Sequence, residues 1–221
     1  MSDRSAKCTD EGGCTATKTY TLLQPPAITT AAVVSSYYNL DTVNISCYGR
    51  SDGTISETVK GGLGNFRYSW STINGSGLDT SSKDQTHVTA GTYYLKITDI
   101  VLRDIDKQVF TCKAYDTASL RQPDSMTLAV QLSNYHGFNV SCTGSNNGNI
   151  HVTNLNGGVP PYTYLWSGTP SSGLVPGNMN QDSLYAGTYQ VRVAYGLNCY
   201  QNWSYTLNEP LPLLFSPAPD I

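Results

Sequence analysis

The sequence predicts an all-β chain built from tandem sandwich repeats, and three observations carry that expectation. Charged residues make up 13% of the 221 positions, about half the usual share, while tyrosine (16) and glycine (20) are abundant. No stretch joins apolar positions at helical spacing to good helix formers; short alternating runs stand between Gly, Pro and Asn clusters instead. The chain also writes itself twice. "NISCYGRSDGTI" (44–55) matches "NVSCTGSNNGNI" (139–150), "GGLGNFRYSW" (61–70) matches "GGVPPYTYLW" (157–166), and "AGTYYLKI" (90–97) matches "AGTYQVRV" (186–193).

A later cysteine follows each copy, with a proline eleven positions on: Cys112 to Pro123 and Cys199 to Pro210. The same interval runs from Cys14 to Pro25. The expected organisation is therefore residues 1–25 as the C-terminal strand or strands of a preceding repeat, then a repeat over 26–123. A second repeat covers 124–210, and 211–221 is a linker or the start of another unit. The chain reads as a fragment of a longer array.

Within the second repeat, turn residues divide seven short runs: 126–132, 138–142, 149–154, 162–167, 182–184, 188–195 and 198–207. Seven strands at this spacing predict an immunoglobulin-like β-sandwich. In the "AGTY" strand, Tyr93, Leu95 and Ile97 share one face, with Tyr94, Lys96 and Thr98 on the other. Tyr189, Val191 and Val193 repeat the apolar face in the second copy. A tyrosine just past a glycine at the start of the penultimate strand predicts a tyrosine corner, its ring buried and its hydroxyl bonded to nearby backbone. Trp70 and Trp166 are then the central core aromatics. The alternative for these four, sugar-binding aromatics, fits their repetition at equivalent strand positions less well.

Between Tyr93 and Cys112 the first repeat has nine more residues than the second has between Tyr189 and Cys199. This "DIVLRDIDKQVF" segment predicts a lengthened last hairpin and is where specificity is expected. Asp99, Asp104 and Asp106 are oxygen donors that could hold calcium. Arg103 and Lys107 interleave them, so a solvated hairpin tip is the better reading.

Six cysteines allow fifteen pairings. By the repeat, Cys47 and Cys112 bracket the first unit, and Cys142 and Cys199 the second, which predicts two disulfides from an early strand to the last. Each would contribute about 4 kcal/mol on the chain-entropy model. Cys8–Cys14 is a further possible pair. No Cys-x-x-Cys or comparable spacing supports the rival reading, a zinc site. Disulfides imply an oxidising, extracellular setting.

The ordered set Cys-x-Gly, Gly-Gly, Tyr-x-Trp, Ala-Gly-Thr-Tyr, Cys and Gln/Glu-Pro, present twice, resembles the SprB-type repeat of Bacteroidota gliding-motility adhesins. That resemblance implies a surface filament exported by the type IX secretion system and attachment to a substratum. It implies no ligand for these particular repeats.

Other functions find no footing. The net charge of −3 offers no clustered basic face for nucleic acid, and no apolar run is long enough to span a membrane. "MSDRSAKC" lacks the apolar core of a signal peptide. His87, His136 and His151 and the three glutamates form no hydrolytic or phosphate-binding motif, so no enzyme and no cofactor is expected. Asn44, Asn74, Asn139 and Asn202 head N-x-[ST] sequons, which matter only in a eukaryotic host. An Asp-[Ser/Thr]-aliphatic signal marks Thr42, Thr117, Ser125 and Ser183 as candidate O-glycosylation sites. The expected partners are neighbouring repeats of the same polypeptide and a surface polysaccharide or substratum. Two alternatives remain: a glycan-binding module using Tyr37, Tyr38, Tyr48 and Tyr195, and a filament subunit in which the strand at 15–23 completes a neighbour.

Overall fold

A computed structural model describes residues 2–40, 42–103, 106–170 and 172–214. Among them there are fourteen β-strands and no helix. Two compact units result. One comprises the chain up to Val34 together with Thr54–Ser119; the other comprises Ser35–Gly53 together with the chain from Leu120 onward. The units thus differ from the sequence repeats 26–123 and 124–210, because the first repeat gives its segment Ser35–Gly53 to the second unit.

The first unit opens with a hairpin, β1 (Ser2–Thr9) and β2 (Thr15–Leu22), paired antiparallel. The strand expected over 15–23 is therefore already paired, with residues 2–9 of its own chain. Two three-stranded sheets follow. One holds β3 (Thr29–Val34), β4 (Gly53–Lys60) and β6 (Gln85–Val88); the other holds β5 (Phe66–Thr72), β7 (Gly91–Leu102) and β8 (Val109–Leu120). Trp70 faces Leu95 across the β5–β7 ladder. Ile55, Trp70, Val88, Tyr93, Leu95 and Ile97 are buried, which is the inward face that the period-two alternation requires.

The second unit repeats this plan. Strands β9 (Thr127–Leu132), β10 (Gly148–Asn156) and β12 (Gln181–Leu184) form one sheet. Strands β11 (Tyr162–Thr169), β13 (Gly187–Tyr195) and β14 (Cys199–Leu207) form the other. Val191 lies between Trp166 and Trp203 across the β11–β13–β14 ladder. Its core gathers Ile150, Trp166, Leu184, Tyr189, Val191, Val193 and Leu207, with Leu128, Val130 and Leu132 of β9 packed against it. The chain is thus all-β, with tandem immunoglobulin-like sandwiches.

Two elements differ in detail from expectation. Each sandwich has six strands rather than seven, since residues 138–142 form a loop with a single bridge, Tyr135 to Phe138. Strands β7 and β8 have twelve residues each where β13 and β14 have nine, so the inserted residues extend the last hairpin of the first unit.

Candidate functional site

The candidate site is built on a frame that recurs in both units. Tyr93 is fully buried and its hydroxyl donates to Thr89 O at 2.7 Å; Tyr189 is fully buried and donates to Tyr185 O at 2.9 Å. Each bond reaches the carbonyl four residues upstream, which pins the turn into the penultimate strand. Trp70 Nε1 donates to Ser82 O and Trp166 Nε1 to Asn178 O, both at 2.9 Å.

A second clamp escaped the motif reading. Gln85 Nε2 also donates to Ser82 O (3.3 Å), and Gln181 Nε2 to Asn178 O (3.1 Å), so tryptophan and glutamine share one carbonyl in each unit. Both glutamines are buried, and each also exchanges bonds with one backbone residue: Gln85 with Asp79, Gln181 with Val175. The signal was present as a glutamine at matching positions in two otherwise unlike segments, "KDQTHV" and "MNQDSL".

The "N-[IV]-S-C" motif is a stapled cap. Asn44 donates through Nδ2 to Ser35 O (2.7 Å) and accepts at Oδ1 from Arg121 N (2.9 Å). Asn139 does the same with Ser133 O (2.8 Å) and Asn208 N (3.0 Å). Gly49 N donates to Gln122 Oε1 (2.8 Å), and Gly144 N to Glu209 Oε2 (2.7 Å), which explains the Gln or Glu before each Pro. These side-chain bonds satisfy the loop backbone that a ladder would otherwise serve, and residues 138–142 are therefore not a strand.

The cap carries the disulfide. Cys47 is bonded to Cys199, with Cα atoms 5.5 Å apart. The expected pairs Cys47–Cys112, Cys142–Cys199 and Cys8–Cys14 do not form, and Cys8, Cys14, Cys112 and Cys142 are free and exposed. The reason is strand length. Cys142 lies beside Pro210, past the C-terminal end of β14, and Cys199 is the first residue of that strand. A nine-residue strand spans roughly 25–30 Å, far beyond disulfide reach. Arg121 and Gln122, which hold the Cys47 loop, likewise lie past the end of β8, on which Cys112 is near the start. Cys8 faces Ala16 across the β1–β2 ladder, out of register with Cys14.

Around the disulfide, the Tyr38 hydroxyl donates to Ser46 O (2.6 Å), and its ring lies 6.3 Å from that of Tyr195. Gly196 adopts φ +40°, and a Cβ there would meet the Tyr38 ring at 2.1 Å, so this contact requires glycine. Cys47, Tyr48, Arg50, Met126, Tyr195 and Tyr200 are among the residues lining a shallow pocket over the disulfide. Burial, with the nearby Tyr38 hydroxyl adding to it, raises the Tyr195 phenol above its ordinary value; the Tyr48 amide opposes this.

Of the four tyrosines named for glycan contact, Tyr195 is buried, and Tyr37 and Tyr38 are half-buried and bonded to Asp52 O and Ser46 O. Only Tyr48 is well exposed, a correction to the four-tyrosine platform. In the calcium reading, Asp99 is buried and accepts from Leu63 N and Asn65 N, while Asp106 pairs with Arg103. Asp104 lies outside the described residues. Among the described residues no cluster of three His, Cys, Asp or Glu could hold a metal. Thr42, Thr117, Ser125 and Ser183 are all exposed; so are Asn74 and Asn202, whereas Asn44 is buried and Asn139 half-buried. His151 bonds Asp182 at 2.7 Å on the surface.

Two sandwiches with one stapled cap in each repeat define a tandem-repeat β-sandwich protein. The SprB repeat family model matches residues 39–75 and 139–170, and each matched span includes a cap asparagine, Asn44 or Asn139. The match supports a surface-exposed module of the adhesin type. No curated protein matches the chain. Among solved structures, it is similar to a C-terminal 282-residue fragment of intimin in complex with the intimin-binding domain of the translocated intimin receptor. That similarity has 14% identity and a TM-score of 0.36, and covers 84% of this chain but 64% of the fragment.

Proposed function

We propose that this chain is part of a long, repetitive cell-surface adhesin of a gliding bacterium, exported by the type IX route, and that its modules bear load and present contact surfaces. It is not an enzyme in this reading. The observation that carries it is the cap repeated in both SprB units, with Cys47 covalently fixed to Cys199 in one of them. Side-chain staples and a cystine resist extension of a module held at its ends. The partners are neighbouring repeats and a surface polysaccharide or substratum. The extended β7–β8 hairpin is the presented surface: Leu102, Val109, Phe110 and Tyr115 are exposed, and Arg103 lies 5.0 Å from the centre of the Phe110 ring.

Immunolabelling of intact source cells with antibodies to this chain tests the location, and adhesion and gliding of cells lacking the segment test the role. Labelling only after lysis, or unchanged attachment and gliding, would refute the proposal. A glycan-binding role finds support in the exposed Tyr48 and in Tyr200, which Arg192 covers at 3.6 Å. A glycan array tests it, and a hit lost in Tyr200→Ala would favour it.

A further inference from the structure

The two caps have the same sequence motif and opposite fates. In the first, Ser46 and Cys47 are buried, 1% and 6% exposed, under the tip of the β13–β14 hairpin. In the second, the matching Ser141 and Cys142 are exposed. Cys142 there lines an open apolar groove with Thr143, Pro210, Leu211, Pro212 and Leu213, the last two leucines 89% and 93% exposed. The staples around the second cap are fully formed, so the loop is already in the conformation in which Cys47 engages Cys199.

We propose that the Cys142 cap is a socket for the hairpin tip of another SprB-type repeat, closed by a disulfide in the manner of Cys47–Cys199, and that a second copy of this chain fills it through Cys14. Three cysteines precede a proline by eleven residues, but they are not equivalent. Cys199 pairs with Tyr195 at the mouth of a tight turn. Cys14 closes a turn of the same length, with Asp10 N donating to Cys14 O at 3.0 Å. Cys112 instead lies within β8, set back from its tip by the insertion. Cys14 is exposed and free, as is Cys142. By cap alignment His136 replaces Tyr38, with φ 53° against 60°. By turn position Glu11 replaces Gly196, so an imidazole would face a carboxylate where a ring packs on glycine.

The bond forms by oxidation. Cys14 and Cys142 each lose a proton and one electron to make the S–S bond, and a small-molecule disulfide such as oxidised glutathione accepts both electrons and becomes two thiols. Full-length chain incubated at high concentration in a glutathione redox buffer tests the proposal, with non-reducing peptide mapping by mass spectrometry. The expected result is head-to-tail oligomers in which Cys142–Cys14 predominates, with Cys47–Cys199 intact in every copy. Docking before oxidation should make the Cys142–Cys14 bond about tenfold or more faster to form than Cys142–Cys142. The uncharged changes Leu211→Ser with Leu213→Ser should remove that advantage when each rate is normalised to the same variant's reaction of Cys142 with a maleimide. Cys8→Ser should leave the crosslink and Cys14→Ser abolish it. Predominance of Cys142–Cys142 or Cys142–Cys112, insensitivity to the leucine changes, or capping by glutathione with no oligomer would each overturn the proposal. None of these readouts depends on adhesion, so the proposed function and the socket fail separately.

Discussion

Cys47 and Cys199 are joined by a disulfide across 152 positions of sequence, from a cap of the first repeat to the last strand of the second. A loop of that length loses roughly 5 kcal/mol of unfolded-state entropy on closure in the chain-entropy model. Reduction should therefore lower the melting midpoint of the second unit and leave the first unit's unchanged. Tryptophan fluorescence separates the two, using Trp70→Phe to report the second unit alone and Trp166→Phe with Trp203→Phe to report the first. Cys47→Ala should reproduce the loss without reductant, while Cys112→Ala and Cys142→Ala should not.

The shared carbonyls make the buried glutamines as important as the tyrosine corners. Gln181→Ala strips partners from Val175 and from the loop carrying Asn178, and should cost about 2–4 kcal/mol. Tyr189→Phe removes one hydrogen bond and keeps the buried ring, so it should cost only about 1 kcal/mol. Urea denaturation of the two variants checks the order. A larger loss for Tyr189→Phe would show the corner, and not the clamp, to dominate.

The sequons divide by burial. Asn44 is buried, its Nδ2 donating to Ser35 O and its Oδ1 accepting from Arg121 N, so the folded chain gives a modifying enzyme no access to it. Expression in a glycosylating eukaryotic host should give occupancy at Asn74 and Asn202, with Asn44 unoccupied. Glycopeptide mass spectrometry reads this directly. Asn44→Ala should also cost about 1–2 kcal/mol, because it removes the part-buried hydrogen bonds to Ser35 O and from Arg121 N.

Glu57 is a buried carboxyl whose Oε2 accepts from Thr30 and whose Oε1 has no partner among the described residues. Burial pushes it above the usual carboxylate range, the nearby Asp116 and Asp84 add to this, and the Thr30 hydroxyl and Lys83 oppose it. The folded state thus holds the proton more tightly than the unfolded state. Stability from this group is complete below the ordinary glutamate value and is lost as pH rises through the raised folded one. Asp84 acts in the opposite sense: the Glu57 amide holds it below its ordinary value, and its contribution is lost as pH falls through that lowered value. Chemical denaturation of the first unit across this range should show stability falling with rising pH above the ordinary glutamate value. Glu57→Gln should flatten that fall and raise stability at neutral pH.

Much of the architecture was legible from local signals. Alternation placed Tyr93, Leu95 and Ile97 inward and Lys96 outward, and glycine and proline clusters located the turns, because side-chain period and turn chemistry are properties of short stretches. The insertion after Tyr93 lengthened a hairpin as its position between paired strands requires. The 138–142 segment misled because an apolar alternation around Asn139 looks like a strand until the asparagine side chain is seen to replace the ladder. Asp99 misled for a related reason: an acidic residue in a hairpin reads as solvated unless the backbone amides of Leu63 and Asn65 are known to meet it.

By itself, then, the sequence determined the sandwich class, the repeat and its inward faces, all of which are encoded within a few residues of one another. Only the tertiary structure decided which cysteines meet. That depends on which end of a strand a distant cap is stapled to, and a shift of one strand length moves a thiol far out of bonding range. Repeat symmetry made Cys47 and Cys142 look alike. The placement of Ser35–Gly53 in the second unit makes one of them half of a cystine and leaves the other open.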